Sequence, residues 1–295
     1  MAQPYLAART LEEVLEHLDR QGEALRLLAG GTDVMIDLRT TRLKGNADPP
    51  TLLDVSEIPE LKEIRVEADR LLLGAAVTFH SLEHDPLLKE RVPLLAAAAA
   101  QMGSVQVRRL ATLGGNVGTA SPAGDGITPL TALEAQVKIV SKGNSRTVAL
   151  TDLITGPGRT GLAANELIHS FSFTLPEAPA RCFFSKIMRR QAVAIARMNL
   201  AVQAALEPSG RIRSARIAAG AVFPSPRRLP EVEEMLIGRL PEEKLFQECG
   251  RRAVEAMRAV SGRRPSMDYK EPALERLTAW GLKQACREKN VNNQL

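Results

Sequence analysis

The sequence predicts an α+β chain in two domains, and three observations carry that prediction. Up to about residue 55 the chain reads as helix, strand, helix, strand, with a glycine pair where the first strand ends. Two prolines in four residues, Pro176-Glu177-Ala178-Pro179, mark the best boundary. Beyond it come three strand-like segments and then, after Pro224-Ser225-Pro226, helix to the end. The division is therefore 1–176, with subdomains of about 1–55 and 56–176, and then 177–295, a small antiparallel sheet covered by helices.

Taken in order, Thr10-Leu11-Glu12-Glu13 has capping-box spacing ahead of an apolar stripe at Leu11, Val14, Leu15 and Leu18. A helix opens there and closes near Gly22. Ala24 to Ala29 is a short buried strand, followed by a two-turn helix at 34–39, a basic Pro-bearing loop and a strand at 51–55. Leu71 to Ala76 reads as a strand, 79–84 and 92–102 as helices, the second closed by Gly103. The run 111–125 is a long polar loop with a helix at 127–135 behind it. Strands at 137–140 and 147–150 flank Lys142-Gly143-Asn144-Ser145, a hairpin signal, and 166–175 is a further strand. In the last third, strands at 181–188, 195–206 and 212–222 precede helices at 242–260 and 272–287.

With 295 residues, 44% hydrophobic and 25% charged, the chain has length for a real core and ordinary globular composition. Aromatics make up only 3%, too few for a base-stacking surface, so the net charge of +5 does not point to nucleic acid. Cys182, Cys249 and Cys286 are odd in number and far apart, with no CxxC spacing. They read as reduced thiols of a cytoplasmic protein, with no metal or iron–sulfur site in this chain. No apolar run reaches the ~18 residues of a membrane span, and the N-terminus lacks a signal-peptide pattern.

Two glycine-rich stretches carry the functional signal. Leu27-Leu28-Ala29-Gly30-Gly31-Thr32-Asp33-Val34 runs from a strand into a helix start, where free amides and the dipole's positive end suit a phosphate. Ala111 to Asp125 holds four glycines with threonines, Ser121, Asn116 and Asp125, so its backbone can approach a ligand and its side chains offer polar groups. Either stretch alone is also an ordinary tight turn; together they read as the two jaws of a dinucleotide site. No G-x-G-x-x-G opens a helix, no P-loop lysine follows either glycine pair, and no hydrolase signature is present. His80 and His84 lie four apart on one helical face, but no further metal ligand is obvious, and a surface or capping role is expected. A noncovalent dinucleotide without local acid–base groups favours an electron carrier.

These residues form a pattern. Ala29-Gly30-Gly31-Thr32-Asp33 and Thr112-Leu113-Gly114-Gly115-Asn116 with Ala120-Ser121-Pro122-Ala123-Gly124-Asp125 resemble the two FAD loops of the molybdenum hydroxylase flavin (medium) subunit, the family of xanthine and carbon monoxide dehydrogenases. The likeness continues through Gly74-Ala75-Ala76-Val77-Thr78 and Gln106-Val107-Arg108. It extends to Lys186, Arg190, Asn199 and Ala201, and to Ser266–Lys270 in place of a Ser-x-x-Tyr-Arg element.

The resemblance implies a PCMH-type FAD-binding domain of two α/β subdomains, followed by a CO dehydrogenase flavoprotein-like C-terminal domain. It implies that Ala29, Gly30, Gly31, Thr32, Asp33 and Val34 wrap the FAD pyrophosphate, with Asp33 expected to cap the following helix. By the same resemblance Thr112, Gly115, Asn116, Thr119 and Ser121 would hold the pyrophosphate, ribitol or ribose from the other side, Gly124 would belong to the same cofactor loop, and Asp125 would accept from ribose hydroxyls. Met102, Val107, Ala111 and Ile168 line the flavin and adenine walls, and Lys186 approaches the isoalloxazine. The implied partners are a large molybdopterin-binding subunit and a small [2Fe–2S] subunit, as a dimer of heterotrimers. The external acceptor is left open among NAD, a quinone, ferredoxin and oxygen. Two alternatives are a self-sufficient flavin oxidase of the vanillyl-alcohol-oxidase type and a non-enzymatic nucleotide-binding module.

Overall fold

The computed structural model describes residues 3–43, 50–175, 181–191 and 193–287. Residues 44–49, expected within a basic loop, and the boundary prolines Pro176 and Pro179 lie outside the described residues.

Strand β1 (Tyr5–Ala7) and helix α1 (Leu11–Gln21) open the chain. Both halves of the expected capping box form: Glu13 N donates to Thr10 Oγ1 (3.2 Å) and the Glu13 carboxylate accepts from Thr10 N (3.3 Å). Strand β2 (Leu25–Leu28), helix α2 (Val34–Leu43) and strand β3 (Thr51–Asp54) follow, and β3 lies between β1 and β2, parallel to both. The α1 side chains Val14 and Leu18 bury against Leu53, Val55, Ile58 and Leu61, so this small sheet has a core of its own. The partly exposed edge strand β2 delivers the first glycine pair at the carboxyl end of this parallel sheet, where open α/β sheets take ligands.

Next come β4 (Ile64–Glu67) and β5 (Arg70–Gly74), then α3 (Phe79–His84), α4 (Pro86–Arg91), α5 (Pro93–Ala100) and α6 (Val105–Leu110). Helices α7 (Leu113–Thr119) and α8 (Ile127–Ala132) precede the hairpin β6 (Gln136–Ser141) and β7 (Asn144–Ala149). Short α9 (Leu150–Leu153), β8 (Ile154–Gly156) and β9 (Arg159–Thr160) lead to β10 (Leu167–Thr174). These strands form an antiparallel sheet in the order β4-β5-β10-β6-β7. Phe171, Phe173, Leu71 and Leu73 of its centre bury against Phe79, Leu82, Leu95 and Leu130 from the helices. Gly156, Gly158 and Gly161 lie at and just beyond the turn joining β8 to β9, where no helix opens.

The last part is a three-stranded antiparallel sheet, β11 (Arg181–Ile187), β12 (Met198–Leu206) and β13 (Ile212–Gly220), with α10 (Pro230–Leu236), α11 (Glu243–Ser261) and α12 (Met267–Cys286). Alternation along the strands gives the sheet two apolar faces. Met198, Leu200, Val202 and Ile217 meet Met257, Leu274 and Leu282 of the covering helices. Phe184, Ala201 and Ala218 face the other way, into the preceding core. Cys249 and Cys286 lie on the buried faces of α11 and α12, and burial pushes their thiols up to about 12 and about 11.

Two expectations need correction. The run 111–125 is not all loop, since 113–119 is helical. Helix α12 starts at Met267, five residues before Pro272, which sits inside it. Among the described residues no helix is long and apolar enough to cross a membrane.

Candidate functional site

The two glycine bends meet. Thr119 Oγ1, at the end of α7, donates to Asp33 Oδ2 (3.1 Å) at the start of α2. Gly30 lies so close to the end of α6 that a Cβ there would sit 1.9 Å from the Leu110 carbonyl oxygen. Gly31 has φ +68°, a conformation that glycine adopts without strain.

In the first bend the amides of Gly30, Gly31, Thr32, Asp33 and Val34 find no acceptor among the described residues. Regular helical bonding begins with Met35 N to Gly31 O (3.0 Å). Five successive free donors at a helix start are a place for anionic oxygen. The Asp33 carboxylate, expected as a helix cap, reaches across to Thr119 instead and so does not compete for these amides.

The second bend is wired differently. Leu113 N donates to Val77 O (2.9 Å), Gly114 N to Ala75 O (2.8 Å), Gly115 N to Thr112 Oγ1 (3.1 Å) and Asn116 N to Thr112 O (3.0 Å). All four first-turn amides of α7 are occupied. What this bend presents is lack of bulk: a Cβ on Gly115 would meet only Thr112 Oγ1 at 2.9 Å, and one on Gly118 would meet nothing within 4 Å. Asn116 turns inward, where its Oδ1 accepts from Gly126 N (3.0 Å) and folds 121–126 back onto the helix. Gly124 and Asp125 are buried in that folded segment, and Ser121 Oγ accepts from Ala123 N (3.3 Å). The amides of Ser121 and Asp125 remain without acceptors among the described residues.

Asp125 ends the bend in a buried polar cluster. Its Oδ2 accepts from Lys186 Nζ (2.8 Å), with the two side chains 10% and 1% exposed. Lys186 Nζ also lies 3.3 Å from the Ala194 carbonyl oxygen. Burial pushes the Asp125 carboxyl above its usual range, against the opposing pull of the Lys186 ammonium. Strand register sets Lys186, Asn199 and Gly220 in one cross-strand row. Asn199 Oδ1 accepts from Thr128 Oγ1 (2.7 Å), and a Cβ on Gly220 would lie 2.0 Å from that Oδ1. Asp125 Oδ1 and Asn199 Nδ2 make no close hydrogen bond, yet the Asn199 amide stands near enough to the Asp125 carboxyl to favour its charged form against burial, so the acceptor and the donor serve each other.

Of the expected wall residues, Met102 and Val107 pack half-buried on the central core, whereas Ala111 and Ile168 are closed within it. The bends, Asp125 and Lys186 are thus brought together. Thr128, Gly220 and Asn199 in its clamping role are the members the chemistry-by-motif reading missed. A fully buried asparagine near the start of the largely apolar β12 is what marks the spot in the structure.

The chain as a whole is similar to known proteins. Residues 1–177 match the FAD binding domain in molybdopterin dehydrogenase, and residues 183–285 match the CO dehydrogenase flavoprotein C-terminal domain. The chain is 30% identical over 275 residues to the nicotinate dehydrogenase FAD-subunit of Eubacterium barkeri, covering 92% of each. It is 32% identical over 232 residues to the putative xanthine dehydrogenase FAD-binding subunit of Escherichia coli strain K12, covering 78% of this chain and 77% of that one. Among solved structures it resembles a chain of quinoline 2-oxidoreductase from Pseudomonas putida 86, with a TM-score of 0.86, 27% identity and 97% of each chain covered.

Proposed function

Because the chain belongs to the FAD-binding medium subunits of the molybdenum hydroxylase family, an oxidoreductase family, we propose that it passes electrons from the [2Fe–2S] clusters of a small partner subunit, by way of FAD, to an external acceptor. The observation that carries this reading is the run of five free amides from Gly30 to Val34, set beside a bend with no side chains in the way. The residues present fit the coenzyme: free amide donors for an anionic pyrophosphate on one side and open glycine positions on the other. FAD, when bound, supplies the redox chemistry between one- and two-electron partners.

The chain's own residues bind and orient. Ala29 to Val34 would hold the pyrophosphate through backbone amides, and Thr112, Gly115, Asn116, Thr119, Ser121 and Gly124 would shape the opposite side. Met102 and Val107 would support the walls, with Ala111 and Ile168 behind them. Lys186, neutralised by Asp125, would stand near the isoalloxazine as one half of a pair rather than as a lone charge. The domain division at 176/177 is supported by the separate core that β12, β13, α11 and α12 build.

The proposed assembly is a cytoplasmic dimer of heterotrimers in which a large subunit carries the molybdenum cofactor and hydroxylates the substrate. The names nicotinate dehydrogenase and quinoline 2-oxidoreductase suggest an N-heterocycle and the name glyceraldehyde dehydrogenase an aldehyde, so the substrate is proposed as an N-heterocycle, such as a purine, an aldehyde or a CO-type substrate. NAD, a quinone, ferredoxin or oxygen takes the electrons.

Purified alone, the chain should be yellow or take up added FAD, and should show no hydroxylase activity until the molybdenum and iron–sulfur chains are added. Turnover of an organic substrate by this chain alone would overturn the reading in favour of a self-contained oxidase. Gly115→Val, whose Cβ would press only on the Thr112 hydroxyl, should lose flavin absorbance on gel filtration while urea unfolding shifts by no more than about 2 kcal/mol, the range of a lost helix cap. A yellow Gly115→Val protein would place the coenzyme elsewhere.

A further inference from the structure

Helix α3 lies outside the cleft and carries His80, Glu83 and His84, spaced so that all three side chains rise from one face. One ring nitrogen from each histidine and one oxygen of Glu83 lie within 4.8 Å of one another. Zinc-type bonds of about 2.0–2.1 Å place tetrahedral ligand atoms roughly 3.4 Å apart, so small rotations of partly exposed side chains bring the set onto one ion.

The surroundings prepare these ligands. His84 Nδ1 sits 3.0 Å from the His80 carbonyl oxygen and 3.7 Å from Glu83 Oε2, both acceptors, so Nδ1 carries the proton and Nε2, brought round by ring rotation, is the nitrogen left for an ion. A backbone carbonyl in that position is the usual outer partner of a metal-binding imidazole. His80 Nδ1 is buried and has no hydrogen-bond partner. Glu83 is oriented by Arg108, whose Nε donates to Oε2 (2.6 Å) while Nη2 stands 3.4 Å from Oε1, leaving that oxygen loosely engaged. The sequence offered two histidines without a third ligand; Arg108, twenty-five residues away, is what aims Glu83.

We propose that His80, Glu83 and His84 form a site for one divalent cation of the zinc class, with water completing its shell. Two imidazoles and one carboxylate suit zinc, copper or nickel better than calcium or magnesium, which prefer all-oxygen sites. The Arg108 charge opposes the ion and competes for Glu83, so affinity is moderate. The site shares no ligand with the flavin cleft, and its fate is independent of the FAD reading.

Cobalt(II), titrated into the untagged full chain after chelator treatment, should produce a visible d–d band that saturates at one ion per chain and is displaced by zinc. The band should be lost in His84→Ala, an exposed change, and in His80→Gln, each with unchanged circular dichroism, and be kept in the control His17→Ala. Glu83→Gln should weaken cobalt binding about tenfold or more. A band that survives both histidine variants, an affinity unchanged by Glu83→Gln, or no saturable binding below millimolar cobalt overturns the assignment.

Discussion

The bends at Gly30–Val34 and Thr112–Asn116 are built from the same residue types, and their ends are joined at Asp33 and Thr119, yet their backbone amides have opposite fates. The first leaves five in a row without acceptors. The second commits four to Val77, Ala75 and Thr112 and offers space instead. One bend therefore supplies the attraction and the other the room. Glycine serves each differently: Gly30 lets a backbone touch Leu110, whereas Gly115 keeps a surface clear.

The contrast can be tested by loosening each bend in turn. The largest effect is expected at the far end of the second bend. Lys186→Met leaves the buried Asp125 carboxylate without its partner, at a cost of about 3–5 kcal/mol at pH 7. A carboxyl whose folded pKa is raised contributes stability below its unfolded value, near 3.9, that is lost as pH rises through the folded value. Removing Lys186 raises the folded value further, so urea unfolding should show a smaller penalty at pH 5 than at pH 7. Equal penalties would mean that Asp125 is not the group left exposed to burial.

Next is Gly30→Ala, which forces a Cβ against the Leu110 carbonyl. Overpacking against backbone should cost about 2–3 kcal/mol and lower flavin affinity together with stability. If affinity fell with stability untouched, the close approach to α6 would be wrong. Asn116→Ala removes the acceptor of the buried Gly126 amide and should cost about 1–2 kcal/mol by chemical unfolding. It should also increase hydrogen exchange at Gly126, because the folded-back segment 121–126 loses its tether. The smallest effect is reserved for the link between the bends. Thr119→Val deletes the hydroxyl that Asp33 accepts from, and exposed as it is, stability should move by no more than about 0.5 kcal/mol. A larger loss would make the two bends one cooperative unit.

Much of the fold was legible. The helix at 11–21 follows from its capping box, the hairpin 136–149 from its turn, and β12–β13 from Glu207-Pro208-Ser209-Gly210. Helix α7 was not, because three glycines in seven residues carry poor helix propensity. It forms because carbonyls of the 75–77 segment accept its first amides, a tertiary cause with no local mark. Short α6 was passed over as well, although Ser104 caps it through the Val107 amide (3.3 Å). In the candidate site, the bends themselves were readable from composition; the aim of Asp33, the inward turn of Asn116 and the clamp of Asn199 on Thr128 were not.

The amino-acid order by itself determined many of the helices and strands and the position of both side-chain-poor bends, because capping, periodicity and turn chemistry act over a few residues. Only the tertiary structure decided which amides stay free, that Asp125 meets Lys186 across sixty-one residues, and that Glu83 turns toward two histidines. Those outcomes depend on which carbonyl or charge arrives from a distant part of the chain, and no local pattern encodes that arrival.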